Sequence, residues 1–231
     1  MSGLLSYTMF QDVFFPHAGQ GDDGADAGLT LQRVMYYKPL AATTIMESPL
    51  VVFDFETTGL DANSDRIIEI GGIKILGDRV IGEFHTLIKP DVQLSANIER
   101  ITGITADMLA GQPALAAVAA DFFRFIDGAI LVAHNADFDW AFLRNGAARL
   151  GYQLSWPCFC TLKLARALLP QLESKNLDSL AKHFGLDFEA RHRAIGDCKV
   201  THGVLMGLLT GATPPLITWQ DLQPYAVGMT A

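Results

Sequence analysis

The chain is 231 residues long, half of them hydrophobic and 18% charged, with a formal net charge of −8. That length fits one sizeable domain with added segments, or at most two small domains, and that composition excludes global disorder. The acidic balance argues against a broad basic surface for duplex nucleic acid, although acidic metal ligands count in a formal charge while their metals do not.

Residues 1–48 differ in character from the rest of the chain. A flexible acidic loop, Gly19-Gln20-Gly21-Asp22-Asp23-Gly24, separates aromatic and apolar pieces at Met9-Phe10, Val13-Phe14-Phe15 and Val34-Met35-Tyr36-Tyr37. The segment is too apolar for a free tail and reads as an extension of unknown role packed on the main domain. The main domain is expected over 49–210. Leu50 to Phe55 reads as a central strand, and Arg66 to Ile75 and Arg79 to Ile88 as two more, joined at Gly77-Asp78. Three strands in succession predict an antiparallel meander. Helices are expected over Ala114 to Ile126, Phe138 to Leu150 (ended by Gly151), Thr161 to Leu169, Leu177 to Phe184 (ended near Gly185) and Ala194 to Leu209, with a short buried strand at Ala129 to Ala133. Strands first, then helices interleaved with strands, predict an α/β sandwich with a mixed sheet. Residues 211–231 read as an irregular tail.

No apolar stretch reaches the length of a membrane span, and no basic segment followed by an apolar core marks a signal peptide. Cys158, Cys160 and Cys198 are odd in number and lack zinc-site spacing, so they read as reduced, buried thiols. Together these features predict a cytoplasmic protein with no membrane partner.

The informative feature is Asp54-Phe55-Glu56 inside an apolar run. Residues i and i+2 of a strand share a face, so the two carboxylates project side by side, opposite Val51, Phe53 and Phe55. Like charges in a half-buried place repel and lose hydration, which calls for a cation or a raised pKa. Two more acids fall where the pattern predicts apolar residues. Asp139 shares a helical face with Leu143, Gly146 and Leu150, and Asp197 shares one with Ala194, Val200, Thr201 and Val204. Both lie near helix starts, where the macrodipole favours an acid, but that does not explain their place on the core-facing stripe. His192, between Arg191 and Arg193, lies at the same mouth as Asp197. Four carboxylates without a cysteine or histidine pair suit hard divalent cations such as Mg²⁺ or Mn²⁺, and two such ions ~4 Å apart can hold both oxygens of a phosphodiester displacement. A histidine with a pKa near ~6.5 can accept a proton at neutral pH.

These residues resemble the DEDDh 3′→5′ exonucleases, the family of the epsilon proofreading subunit, ribonuclease T and oligoribonuclease. The motifs are Asp54-Phe55-Glu56-Thr57-Thr58-Gly59, His134-Asn135-Ala136-Asp137-Phe138-Asp139 and His192-Arg193-Ala194-Ile195-Gly196-Asp197. Asp65-Arg66-Ile67-Ile68-Glu69-Ile70-Gly71 also fits, as does Ile101-Thr102-Gly103-Ile104-Thr105, with Thr102 in place of the usual histidine. The resemblance implies a ribonuclease H-like α/β fold with a five-stranded mixed sheet flanked by helices. It implies Asp54, Glu56, Asp139 and Asp197 as ligands of two Mg²⁺ or Mn²⁺ ions and His192 as general base. Thr57, Leu60, His134, Asn135 and Phe138 would bind the 3′ end of single-stranded or frayed nucleic acid, DNA favoured and RNA compatible, with release of nucleoside 5′-monophosphates. Core packing for Leu60 and Phe138, and a helix cap for Asn135, are the alternative roles of those residues. A different class of function is a polymerase-associated proofreading or partner-binding subunit, suggested by the N-terminal segment and the apolar tail. Arg191, Arg193 and Lys199 are candidates for phosphate contacts. The sequence assigns no oligomeric state.

Overall fold

The computed structural model describes residues 7–16, 29–39 and 41–228; the acidic loop at Gly19 to Gly24 lies outside them. The centre of the molecule is β3 (Leu50–Thr57), rich in the β-branched and aromatic residues that suit a buried strand. It pairs antiparallel with β4 (Ile67–Leu76) and parallel with β6 (Ile130–Ala133). β5 (Arg79–Leu87) completes the meander through a turn at Gly77, whose φ of 65° suits glycine. β8 (Cys158–Cys160) adds parallel to β6, and the two-residue β9 (Ala226–Val227) closes the edge. The sheet runs β5-β4-β3-β6-β8-β9. The five-stranded mixed sheet is therefore present, with β8 supplying a strand that the hydrophobic pattern did not mark and β9 extending it by two residues.

Successive strand residues face opposite sides, and β4 makes this visible. A Cβ on Gly71 would lie 2.4 Å from the backbone carbon of Ala194, at the start of α7 (Ala194–Gly211), whereas Gly72 faces Phe125 of α3 (Leu115–Ile126). The two helices cover opposite faces. Phe53, Phe55 and Phe84 pack on Phe122 on the α3 side, and α4 (Ala136–Arg149) buries Phe142 and Leu143 in the same core.

Two short helices, α1 (Ala96–Thr102) and α2 (Ala106–Ala110), follow the meander. Ser95 and Thr105 cap them by accepting from Ile98 N–H and Met108 N–H. Thr102 is buried: its hydroxyl donates to the Ile98 carbonyl and accepts from Ile104 N–H. The Ile101 to Thr105 segment thus closes α1 and seats Ile104 against Ile68 and Leu109.

A second, three-stranded sheet is made by β1 (Tyr7–Pro16), which pairs antiparallel with β2 (Leu29–Lys38), and by β7 (Tyr152–Ser155), which pairs in parallel with β2. Met35 and Tyr37 are buried, and Tyr37 stacks on Trp156 at 5.2 Å. After α7, residues 219–227 form regular structure where an irregular tail is expected. A capping box between Thr218 and Asp221 starts α8 (Trp219–Leu222), which buries Trp219 and Leu222. Ile45 N–H donates to the Ile217 carbonyl and Trp219 N–H to that of Thr43, so this segment and residues 41–48 are stitched together. All three cysteines are buried free thiols. Among the described residues no helix is long and apolar enough to cross a membrane.

Candidate active site

Asp54 and Glu56 project from β3 toward α7, opposite Gly71 and Glu69 across the strand pair. α5 (Thr161–Leu168) and α6 (Leu177–Phe184) complete the surroundings, α6 starting where Asn176 accepts from Ser179 N–H and ending at Gly185. Asp139, in the first turn of α4, accepts from Phe55 N–H at 3.2 Å, which lays its carboxylate against β3 between the other two. Asp197 lies in the first turn of α7, and ligand atoms of Glu56, His192 and Asp197 all fall within 4.8 Å of one another. Both helical acids are on the core-facing stripe, as their spacing predicts: Asp139 is 3% and Asp197 4% exposed.

This crowding raises every acid in the group. Burial, then Asp139, Asp197 and Glu56, push Asp54 well above the ordinary carboxylate range. Burial and neighbouring charge take Asp139 to about 8 and Glu56 to about 7. Asp197 rises to about 6 through burial, with Arg191 pulling it down. Asp197 Oδ1 is buried without a hydrogen-bond partner among the described residues. An all-oxygen donor set, mutually repelling and with one orphaned oxygen, fits hard divalent cations.

Arg191 is set directly against the cluster. Its Nη1 donates to Asp197 Oδ2 at 2.6 Å, while Nε and Nη2 fork onto Asp178 at 2.7 and 3.1 Å. The adjacent His192 has φ of 58°, a left-handed conformation uncommon outside glycine. Burial and the Arg191 guanidinium lower the His192 pKa, so the imidazole is neutral at neutral pH.

The residues expected to meet a nucleotide ring this group on the adjoining turns. The Thr57 hydroxyl is mostly buried and donates to the Gly59 carbonyl at 2.6 Å. Gly59 lies where a Cβ would be 2.4 Å from Asp65, and this tight turn presents Leu60, 86% exposed, at its tip. His134 Nδ1 lies 2.9 Å from the Thr161 hydroxyl, and burial first among its causes takes the imidazole down to about 4. Asn135 stands before α4 with φ of 61° and makes no side-chain cap, so its exposed amide is not spent on the helix. Phe138 is half-buried, 4.9 Å from the Phe142 ring. The three cations near the third motif are engaged with carboxylates: Arg191 as above, Arg193 with Glu69, and Lys199 with Glu189 at 2.7 Å. Glu69 was not among the expected site residues; its local signal is an acid in the otherwise apolar run Ile67 to Ile73, within the Asp65 to Gly71 segment.

Residues 51–205 match the exonuclease family model (RNase_T). The chain is 43% identical over 165 residues to a PolC-type DNA polymerase III of Thermotoga maritima, covering 71% of this chain and 12% of that protein. It is 38% identical over 200 residues to the PolC-type DNA polymerase III of Bacillus subtilis, covering 86% and 14%. The chain thus spans about an eighth of the length of these relatives. Among solved structures, exonuclease X in complex with 5′-overhanging duplex DNA superposes with a TM-score of 0.62 at 26% identity, covering 76% of this chain and 98% of that one. E. coli exonuclease I in complex with a dA16 oligonucleotide gives 0.62 at 25%, covering 72% and 41%.

Proposed function

Because the chain belongs to the exonuclease family that its residues 51–205 match, we propose that it is a metal-dependent 3′→5′ exonuclease. It hydrolyses the terminal phosphodiester of single-stranded or frayed nucleic acid, DNA in preference to RNA, and releases nucleoside 5′-monophosphates. The observation that carries this reading is the approach of Glu56, His192 and Asp197 to within 4.8 Å, with Asp139 held against β3 beside them.

Asp54, Glu56, Asp139 and Asp197 would hold two Mg²⁺ or Mn²⁺ ions, which when bound would supply the positive charge that phosphodiester hydrolysis needs at the attacking and leaving oxygens. His192, kept neutral by burial and by Arg191, takes the proton of the attacking water on an imidazole nitrogen. Leu60, exposed at the tip of its turn, wedges on the terminal base, and Phe138 packs on the sugar or base. Such contacts contribute ~1–3 kcal/mol per base and are indifferent to sequence, which suits removal of any nucleotide. Thr57 holds the terminal nucleotide by its backbone and hydroxyl, and His134 and Asn135 flank the scissile bond. Grip on a few nucleotides at one end needs no basic face, which is compatible with a net charge of −8.

The experiment is a 3′-labelled DNA single strand incubated with Mg²⁺. Label is released by the wild-type chain, and release stops with EDTA and with Asp54→Ala. No release, or release that survives Asp54→Ala together with EDTA, rejects the reading, and a matched RNA oligomer measures the preference for DNA. A second reading, favoured by the PolC-type relatives, is that the chain serves a DNA polymerase as its proofreading component. It requires a polymerase subunit to co-purify with the full chain; a chain that remains alone in the presence of that subunit argues against it.

A further inference from the structure

We infer that Glu69 is the positioning residue that sets the third motif, His192 to Asp197, against the strand carboxylates; the inference rests on the exonuclease reading of this site. Glu69 is fully buried on β4, directly across the strand pair from Glu56. A buried carboxylate is tolerated only when its oxygens are saturated, and the donors that saturate this one come mainly from the third motif. Arg193 donates from Nη2 at 2.7 Å and from Nε at 3.0 Å, and Ala194 N–H donates at 3.0 Å. His85 Nε2, on β5, lies 2.6 Å away on the outer side.

Three of these donors belong to the two residues directly after His192. Arg193 is also the residue whose carbonyl accepts Asp197 N–H at 3.0 Å, so the grip on Arg193 passes to the helix turn that carries Asp197. Two residues along the same face of β4, Gly71 leaves room for the Ala194 backbone, where a Cβ would lie 2.4 Å away. Gly196 folds the motif onto its own approach, a Cβ there falling 2.2 Å from the Ala190 carbonyl oxygen. Glu69 therefore pulls α7 down onto β4 at one fixed register. His192, in its left-handed conformation, is held between that anchor and the Arg191 fork on Asp178. Glu69 does not need to touch a nucleotide. Its role is to face the base and one acid of the third motif toward Glu56 across the two central strands.

The test is Glu69→Gln in the full chain, with Arg193→Gln as the second variant should the first fail to fold. The expected result is a ~10²-fold fall in kcat with KM within about threefold of wild type, the signature of reacting groups displaced by an ångström or so. Mn²⁺ affinity, read by electron paramagnetic resonance without substrate, falls ~10-fold, the scale of losing an outer-shell partner. Glu69→Asp, which keeps the charge, recovers part of both. Wild-type kcat and wild-type Mn²⁺ affinity in Glu69→Gln overturn the inference, as does a loss confined to KM. A wild-type chain without exonuclease activity in which Glu69→Gln still weakens Mn²⁺ binding overturns the function reading and leaves the positioning role standing.

Discussion

His192 is a residue with two constraints that can be separated by substitution. Its φ of 58° costs of order 1–2 kcal/mol for most side chains, whereas asparagine tolerates that region. His192→Asn therefore removes the proposed base while leaving the backbone content. It should lower turnover by roughly 10²–10⁴-fold, the usual contribution of a positioned general base. The cation-induced rise in melting temperature should persist, because four carboxylates remain. Wild-type turnover in that variant would remove His192 from the mechanism. The carboxylates themselves were readable because each breaks a period: Asp54 and Glu56 interrupt an apolar strand, and Asp139 and Asp197 interrupt helical stripes. His192 between two arginines carries no such signal and entered through the three-motif resemblance. Glu69 and Arg193 were not readable as a pair. They are 124 positions apart, and an arginine beside a catalytic motif looks the same whether it meets a phosphate or a buried acid.

At the level of elements, punctuation decided what could be foreseen. α6 runs from Leu177 to Phe184 as expected because Asn176 caps it and Gly185 ends it in the left-handed region. α4 begins two residues before its expected start, since the left-handed Asn135 rather than an apolar residue opens it. β8 is three residues long and α1 and α2 are seven and five, too short for a period to show, and tertiary contact holds them. The junction of β4 with α7 is set by the absence of a side chain. Gly71→Ala should destabilise the fold by about 1–3 kcal/mol, the range for overpacking a close contact, because the clash is with backbone that no rotamer change relieves. Urea denaturation reads the change as a lower midpoint at similar slope, and an unchanged midpoint would mean that α7 stands further from the sheet.

For the molecule as a whole, the acid cluster makes stability a function of pH and of cations. Folded Asp139 keeps its proton to about 8, Glu56 to about 7 and Asp197 to about 6, above their ordinary values of 3.8, 4.5 and 3.8. Between those limits the metal-free folded chain binds more protons than the unfolded chain. This contribution is complete below the unfolded values and is lost as pH rises through the folded ones. His134 works the other way, its imidazole falling from 6.5 to about 4, so it adds stability as pH climbs through that lower window and nothing above it. In EDTA the melting temperature should therefore fall between pH ~6.5 and ~8.5, as Glu56 and Asp139 give up their protons. Mg²⁺ or Mn²⁺ should restore it, more at pH 8 than at pH 6 because protons compete for the same oxygens. A melting temperature flat across that window in EDTA, and indifferent to cations, would contradict the cluster. The seam between the flanking segments and the domain has an optical consequence. The chain has three tryptophans. Trp156 is stacked on Tyr37, Trp219 is bonded through its backbone N–H to Thr43, and Trp140 lies against Gly228. Every tryptophan thus belongs to or touches a place where the flanking segments meet the domain, and the intrinsic emission of the protein is a label-free gauge of whether those segments are seated.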